Sequence, residues 1–269
     1  MMLRSTQRAK SALVVWACAV ALAQEQPAAA PPPPPLENLG KPMVLPFRCT
    51  EDDMQWAGLT CSETDPCPVY LEISAIESVG NRIFAAGNIH SAAVTLYSTL
   101  LASDDAGRTW REPHERIRGA GIDHIQFADP ENGWASGQTL SPLLQDPFLL
   151  LTSDGGKTWR RQPVFNDTRM GSLQQFFFTG RSNGSLVFDA GPGSESGRYQ
   201  LYESQDGGAT WSIREESDKP PRLRRTADSP DWRSRADGAS GAFEIERRAE
   251  GRWTPAAAFA VKIGGCKPE

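Results

Sequence analysis

Three aspartates sit in nearly identical surroundings: Asp105 in SDDAGRTW (103–110), Asp154 in TSDGGKTW (152–159) and Asp206 in SQDGGATW (204–211). Each is followed by a glycine at the second position and a threonine–tryptophan pair at the fourth and fifth. A carboxylate in such a loop can act as an acid or base, ligate calcium, or accept hydrogen bonds from N–H groups of its own turn. The spacing favours the last. Gly107, Gly156 and Gly208 can take the positive φ that a tight reversal demands. The hydroxyls of Ser103, Thr152 and Ser204, and of Thr109, Thr158 and Thr210, can satisfy the remaining backbone groups. Trp110, Trp159 and Trp211 each bury a ring beneath the hairpin while the indole N–H finds an acceptor. These fifteen residues are read as structural, because calcium would need further oxygen ligands that the sequence does not identify.

Other chemistry is sparse. His90, His114 and His124 form no metal-like pair, and no nucleophile elbow, phosphate loop or His-Glu-x-x-His occurs. No metal and no cofactor is expected. Arg222, Arg224, Arg225, Arg233 and Arg235 crowd into one stretch of an otherwise acidic chain. Arg222 and Arg224 alternate, so they could share a sheet face and receive an acidic partner or an anionic glycan. The competing reading is a solvated face balanced by Asp228, Asp231 and Asp237.

The chain of 269 residues carries a formal net charge of −5. It opens on a basic stretch (Arg4, Arg8, Lys10), an apolar run Ser11–Ala23 and a small-x-small site at Ala21-Leu22-Ala23, which read as a signal peptide over 1–23. A lipid anchor at Cys18 is the alternative. Removing 1–23 leaves a charge of about −8, which argues against nucleic-acid binding. Residues 24–42 are rich in Pro and Ala and are expected to be an extended linker. A proline-rich docking segment is the functional alternative there. The folded part is placed at 43–269. Four cysteines then remain, Cys49, Cys61, Cys67 and Cys266. Their even number in an exported chain implies two disulfides. Three lie near one end of the domain and one near the other, so at least one bridge should join the ends. Cys49–Cys266 with Cys61–Cys67 is the preferred pairing. Zinc is disfavoured because no Cys-x-x-Cys occurs.

The elements that position these residues repeat. Trp110, Trp159 and Trp211 are 49 and 52 residues apart. Short apolar strands ending in glycine recur in step at IFAAG (83–87), WASG (134–137), LVFDAG (186–191) and WRSRADG (232–238). Four units follow, at about 69–117, 121–165, 172–216 and 220–262, each of about four short strands. In the second unit the strands are predicted at His124–Phe127, Trp134–Gly137, Phe148–Thr152 and Thr158–Phe165. A brief helix with Thr50 as its cap is predicted over Thr50–Leu59. Repeats of this length and content predict an all-β fold, a small β-propeller of four-stranded antiparallel blades. Four units are recognisable, and residues 43–68 could supply an incomplete fifth. The fourth unit's ERRAEGRW (246–253) has Arg248 where the aspartate would fall, so it is expected to keep the hairpin without the clip.

The repeated turn resembles the Asp-box, or bacterial neuraminidase repeat. That resemblance implies a structural turn, usually away from the active face. Among families carrying it, sialidases would need three arginines, a tyrosine with a glutamate, and an Arg-Ile-Pro motif, which is absent. The run IQFADPENGWASGQ…FLLLTSDGGKTW (125–159) is more similar to the photosystem II assembly and stability factor family. This implies a non-enzymatic, exported propeller that holds or escorts a protein in the periplasm or outside the cell; it does not imply a photosystem. The expected partner is a protein of unknown identity, and the alternative is a carbohydrate-binding or carbohydrate-cleaving propeller. The connection Gln138–Pro147 is a candidate partner loop on length alone. Aromatic rings beside paired carboxylates in the central funnel would favour the carbohydrate reading; small and apolar residues would favour the scaffold.

Overall fold

A computed structural model describes residues 34–194, 197–223 and 231–268. The strands are β1 (Leu36–Glu37), β2 (Cys67–Val79), β3 (Arg82–His90), β4 (Thr95–Ser103), β5 (Thr109–Trp110), β6 (Ala120–Phe127), β7 (Gly133–Thr139), β8 (Gln145–Thr152), β9 (Arg160–Pro163), β10 (Ser172–Phe178), β11 (Gly184–Asp189), β12 (Tyr199–Ser204), β13 (Ser212–Ser217), β14 (Trp232–Asp237), β15 (Ala242–Ala249), β16 (Arg252–Ala260) and β17 (Lys262–Cys266); α1 is Glu51–Ala57. Three four-stranded sheets have the orders β17-β2-β3-β4, β6-β7-β8-β9 and β10-β11-β12-β13; the sheet β14-β15-β16 is the fourth. Every pairing between named strands is antiparallel. The fold is a small β-propeller whose blades are the repeat units.

The units become blades because each sheet has apolar residues on its faces and must cover them with a neighbour. One buried cluster joins the fourth blade to the first through Ile245, Phe259, Ile73 and Ile83. A second joins the first to the second through Phe84, Leu100, Ile122 and Phe148. A third joins the second to the third through Trp134, Leu149, Phe178 and Phe188. Polar side chains staple the same boundaries. Gln126 donates to the Phe178 carbonyl at 2.7 Å and accepts from the Phe178 N–H at 2.9 Å. Among the described residues no comparable apolar cluster joins the third blade to the fourth.

The ends of the chain close on the other side. Cys49 is bonded to Cys266, and Cys61 to Cys67, the pairing expected from their positions. Residues 34–42, which the sequence places in the linker, pack on the propeller. Leu36–Glu37 pairs with Thr109–Trp110, and the Asn38 amide donates to the carbonyls of Gly107 and Ala256. Met43 bridges Phe259 on the fourth blade. Residues 1–33, which hold the expected signal peptide, lie outside the described residues. Helix α1 is capped by Thr50, which forms a reciprocal capping box with Asp53. Among the described residues no helix is long and apolar enough to cross a membrane.

Candidate functional site

The three repeated turns share one geometry. Ser103 Oγ donates to Asp105 at 2.9 Å and accepts from the Gly107 N–H at 2.8 Å. Asp105 also accepts from the N–H groups of Arg108 and Thr109 and from the Thr109 hydroxyl, at 3.0, 2.9 and 2.8 Å. Trp110 Nε1 donates to the Gly107 carbonyl at 3.1 Å. Asp154 and Asp206 repeat the pattern with Thr152, Gly156, Thr158 and Trp159, and with Ser204, Gly208, Thr210 and Trp211. Gly156 shows why the glycine is needed: at φ +82° an added Cβ would lie 2.3 Å from the Phe84 ring. Burial opposes ionisation of Asp105 and Asp154, but the hydrogen bonds win and hold both carboxyls down to about 2. Asp206, bonded foremost by Thr210, is also held at about 2. These carboxylates are fully engaged by their own turns. Among the described residues no three His, Cys, Asp or Glu side chains gather as a metal site would require.

At the other end of the strands the connection 138–147 is shorter than its sequence suggests. Strand β7 continues to Thr139 and β8 starts at Gln145, so only 140–144 turn freely. The polar residues at either end go on pairing, Thr139 directly opposite Gln145. The turn exposes Leu143 (52%) and Leu144 (40%). Met170, 63% exposed, pairs with Gln145 beside them, and the Gly171 N–H donates to the Leu144 carbonyl. Trp56 of α1 lies against Gly119, with the Arg118 guanidinium over its ring.

One strand of each blade lines a central cavity of about 330 Å³: Ser74–Glu77 of β2, Asp123–Gln126 of β6, Phe176–Phe177 of β10 and Trp232–Ser234 of β14. Burial, then the nearby Glu72 carboxylate, pushes the Asp123 carboxyl up to about 6. None of Tyr70, Tyr97, Tyr199 and Tyr202 lines the cavity, and Arg233 is the one arginine that does among the described residues. The lining is mixed, with two carboxylates and a tryptophan but also small and aliphatic residues. It is therefore neither the aromatic, acidic funnel of a carbohydrate site nor a funnel of small and apolar residues alone.

The arginine cluster is divided. Arg233 is held by Glu246 at 2.6 Å and stacked over Trp253. Arg235 pairs with Glu244 and Asp237. Both are balanced within their own blade. Arg222 is exposed beside Pro221, whose carbonyl accepts from Gln175 of the third blade. Arg224 and Arg225 lie outside the described residues. Asp123 went unremarked in the sequence. The available signal was that Ser74, Asp123 and Gln174 occupy equivalent places in successive units, and that one of the three is charged.

No family model matches the chain, and no curated protein matches it. Solved structures do. YCF48 bound to D1 peptide is 19% identical, with a TM-score of 0.42, over 71% of this chain and 56% of that one. YCF48 from Cyanidioschyzon merolae is 18% identical, with a TM-score of 0.36, over 71% and 57%. The GH74 xyloglucanase from Xanthomonas campestris is 16% identical, with a TM-score of 0.32, over 69% and 30%. The chain thus spans little more than half the length of the two YCF48 chains. At these identities the likeness concerns the fold.

Proposed function

We propose that this is an exported, non-catalytic propeller of the Asp-box type, a scaffold that holds a protein partner on the rim opposite its repeated turns. The observation that carries this reading is the exposed apolar group Leu143, Leu144 and Met170. Large apolar side chains gathered in water on one rim suit a macromolecular contact. The two disulfides suit an oxidising compartment, the periplasm or outside the cell. Sialidase chemistry fits poorly, because it would require tyrosine and clustered arginines where the described residues of the cavity offer Asp123, Glu77 and a single paired arginine. The carbohydrate alternative draws on Trp232, which lines the cavity together with those two carboxylates.

The test is affinity purification of the tagged protein from its native host after mild cross-linking, beside a Leu143→Ser/Met170→Ser variant. One dominant protein partner, lost in the variant, is expected. No protein partner in either form would overturn the scaffold reading and move glycan-binding and glycosidase assays forward.

A further inference from the structure

The cavity-lining strands of the first three blades, β2, β6 and β10, each carry an extra residue at the same place. The register shifts between Ile73 and Ala75, between Ile122 and His124, and between Leu173 and Gln175. Such a bulge takes one side chain out of the alternation of the ladder and re-aims it. The three residues are Ser74, Asp123 and Gln174. Ser74 Oγ donates to the Ile122 carbonyl at 2.6 Å, so it ties the first blade to the second. The Gln174 amide donates to Ser172 at 2.5 Å. Asp123 has no hydrogen-bond or ion-pair partner among the described residues.

Among the described residues no cation is paired with Asp123. Glu72 and Glu77 come from β2 and His124 from its own strand; β10 contributes Phe176 and Phe177. Arg233 of β14 already belongs to Glu246 and Trp253. Glu72 itself accepts from the Asn88 amide at 2.9 Å. A half-buried carboxylate without a partner is costly unless a cation meets it. The walls beside it are Ile76, Ile125, Phe176 and Trp232, which suit an apolar stem. A volume of about 330 Å³ admits a small group.

We propose that the central cavity is a binding site for an organic cation, an ammonium or guanidinium on an apolar stem, with the bulged carboxylate of Asp123 as its counter-ion. The group belongs either to a free amine or to a lysine or arginine side chain offered by a partner, and the chemistry of the site is common to both. This site is separate from the apolar rim, so the two readings stand or fall independently.

The test is calorimetric titration of the full chain with n-butylammonium, with Nα-acetyl-lysine methylamide and Nα-acetyl-arginine methylamide, and with the neutral norleucine analogue. Saturable one-to-one binding of a cation is expected, with the neutral analogue at least tenfold weaker. Asp123→Asn, checked for folding by circular dichroism, should weaken the cation at least tenfold, as loss of a charged hydrogen bond does. Because the Asp123 carboxyl titrates at about 6, cation binding to the unaltered protein should be about tenfold weaker at pH 5 than at pH 7. The Asn variant should lose that dependence, which separates Asp123 from His124. Tighter binding of butylammonium than of either amino-acid derivative would assign the site to free amines. Binding of the amino-acid derivatives alone would assign it to a partner's side chain. No saturation with any cation, or equal affinity for the neutral analogue, would overturn the proposal. So would a pH-independent affinity.

Discussion

Asp123→Asn removes a charge that the folded protein holds at a cost, so it should stabilise the fold at high pH. The carboxyl moves from 3.8 to about 6 on folding, chiefly by burial and then by Glu72. A raised acid means that the folded state binds its proton more tightly than the unfolded state does. Stability is then greatest while Asp123 is protonated, and it falls as pH rises from about 4 through 6. The loss reaches about 3 kcal/mol by pH 8 and is only about 0.5 kcal/mol at pH 4. The asparagine amide brings its own burial cost, but that is the same at both values. The difference between the two stability changes isolates the charge, at about 2.5 kcal/mol. Reversible urea unfolding with both disulfides intact, at pH 4 and pH 8, measures it. A stability change that stays constant with pH to within about 0.5 kcal/mol would refute the reasoning, and so would a larger gain at pH 4.

Other expectations follow from the turns and the chain closure. Asp105→Ala removes the acceptor of two backbone N–H groups and should cost about 1–3 kcal/mol in urea unfolding; Asp154→Ala and Asp206→Ala should cost similar amounts, since the geometry repeats. These three carboxyls are lowered to about 2, so the stability they supply is complete above about pH 4 and lost as pH falls toward 2. An acid-denaturation midpoint unmoved by the triple Asp→Asn variant would contradict this. Replacing Cys49 and Cys266 by serine opens a loop of 217 residues and should cost about 5 kcal/mol, against about 2 kcal/mol for the six-residue Cys61–Cys67 loop, on the chain-entropy account. Thermal unfolding of the two double variants checks the order. Gln126→Leu leaves the buried Phe178 N–H and carbonyl without their partner across the blade boundary and should cost about 2 kcal/mol.

The blades were legible because their most informative segment is local. Ser103 to Trp110 satisfies itself within eight residues, so the same letters recur wherever the same hairpin does. The fourth hairpin is legible for the converse reason. Glu250 and Gly251 take φ values of +51° and +78° and turn the chain without any aspartate. The central cavity was not legible, because it depends on register. Asp123 lines the cavity through a one-residue bulge against β7, and nothing in its flanking residues fixes that slip. The rim was legible only as the connection Gln138–Pro147, a candidate on length, and its apolar exposure was not legible for a related reason. Ladder pairing of Thr139 with Gln145 shortens the connection and forces Leu143 and Leu144 outward. The pairing of Leu36–Glu37 with β5 lies in a stretch whose composition reads as linker. Its backbone supplies the contact, and composition says nothing of that.

On the function proposed above, the partner meets the apolar rim and the repeated turns are structural. A photo-reactive residue placed singly at Leu143, Met170, Lys157 or Arg108 in the native host tests this most directly. Cross-links from Leu143 and Met170 to one discrete protein, with none from Lys157 or Arg108 in the turns, are predicted. Cross-links from the turns alone, or no protein adduct from the rim, would contradict it.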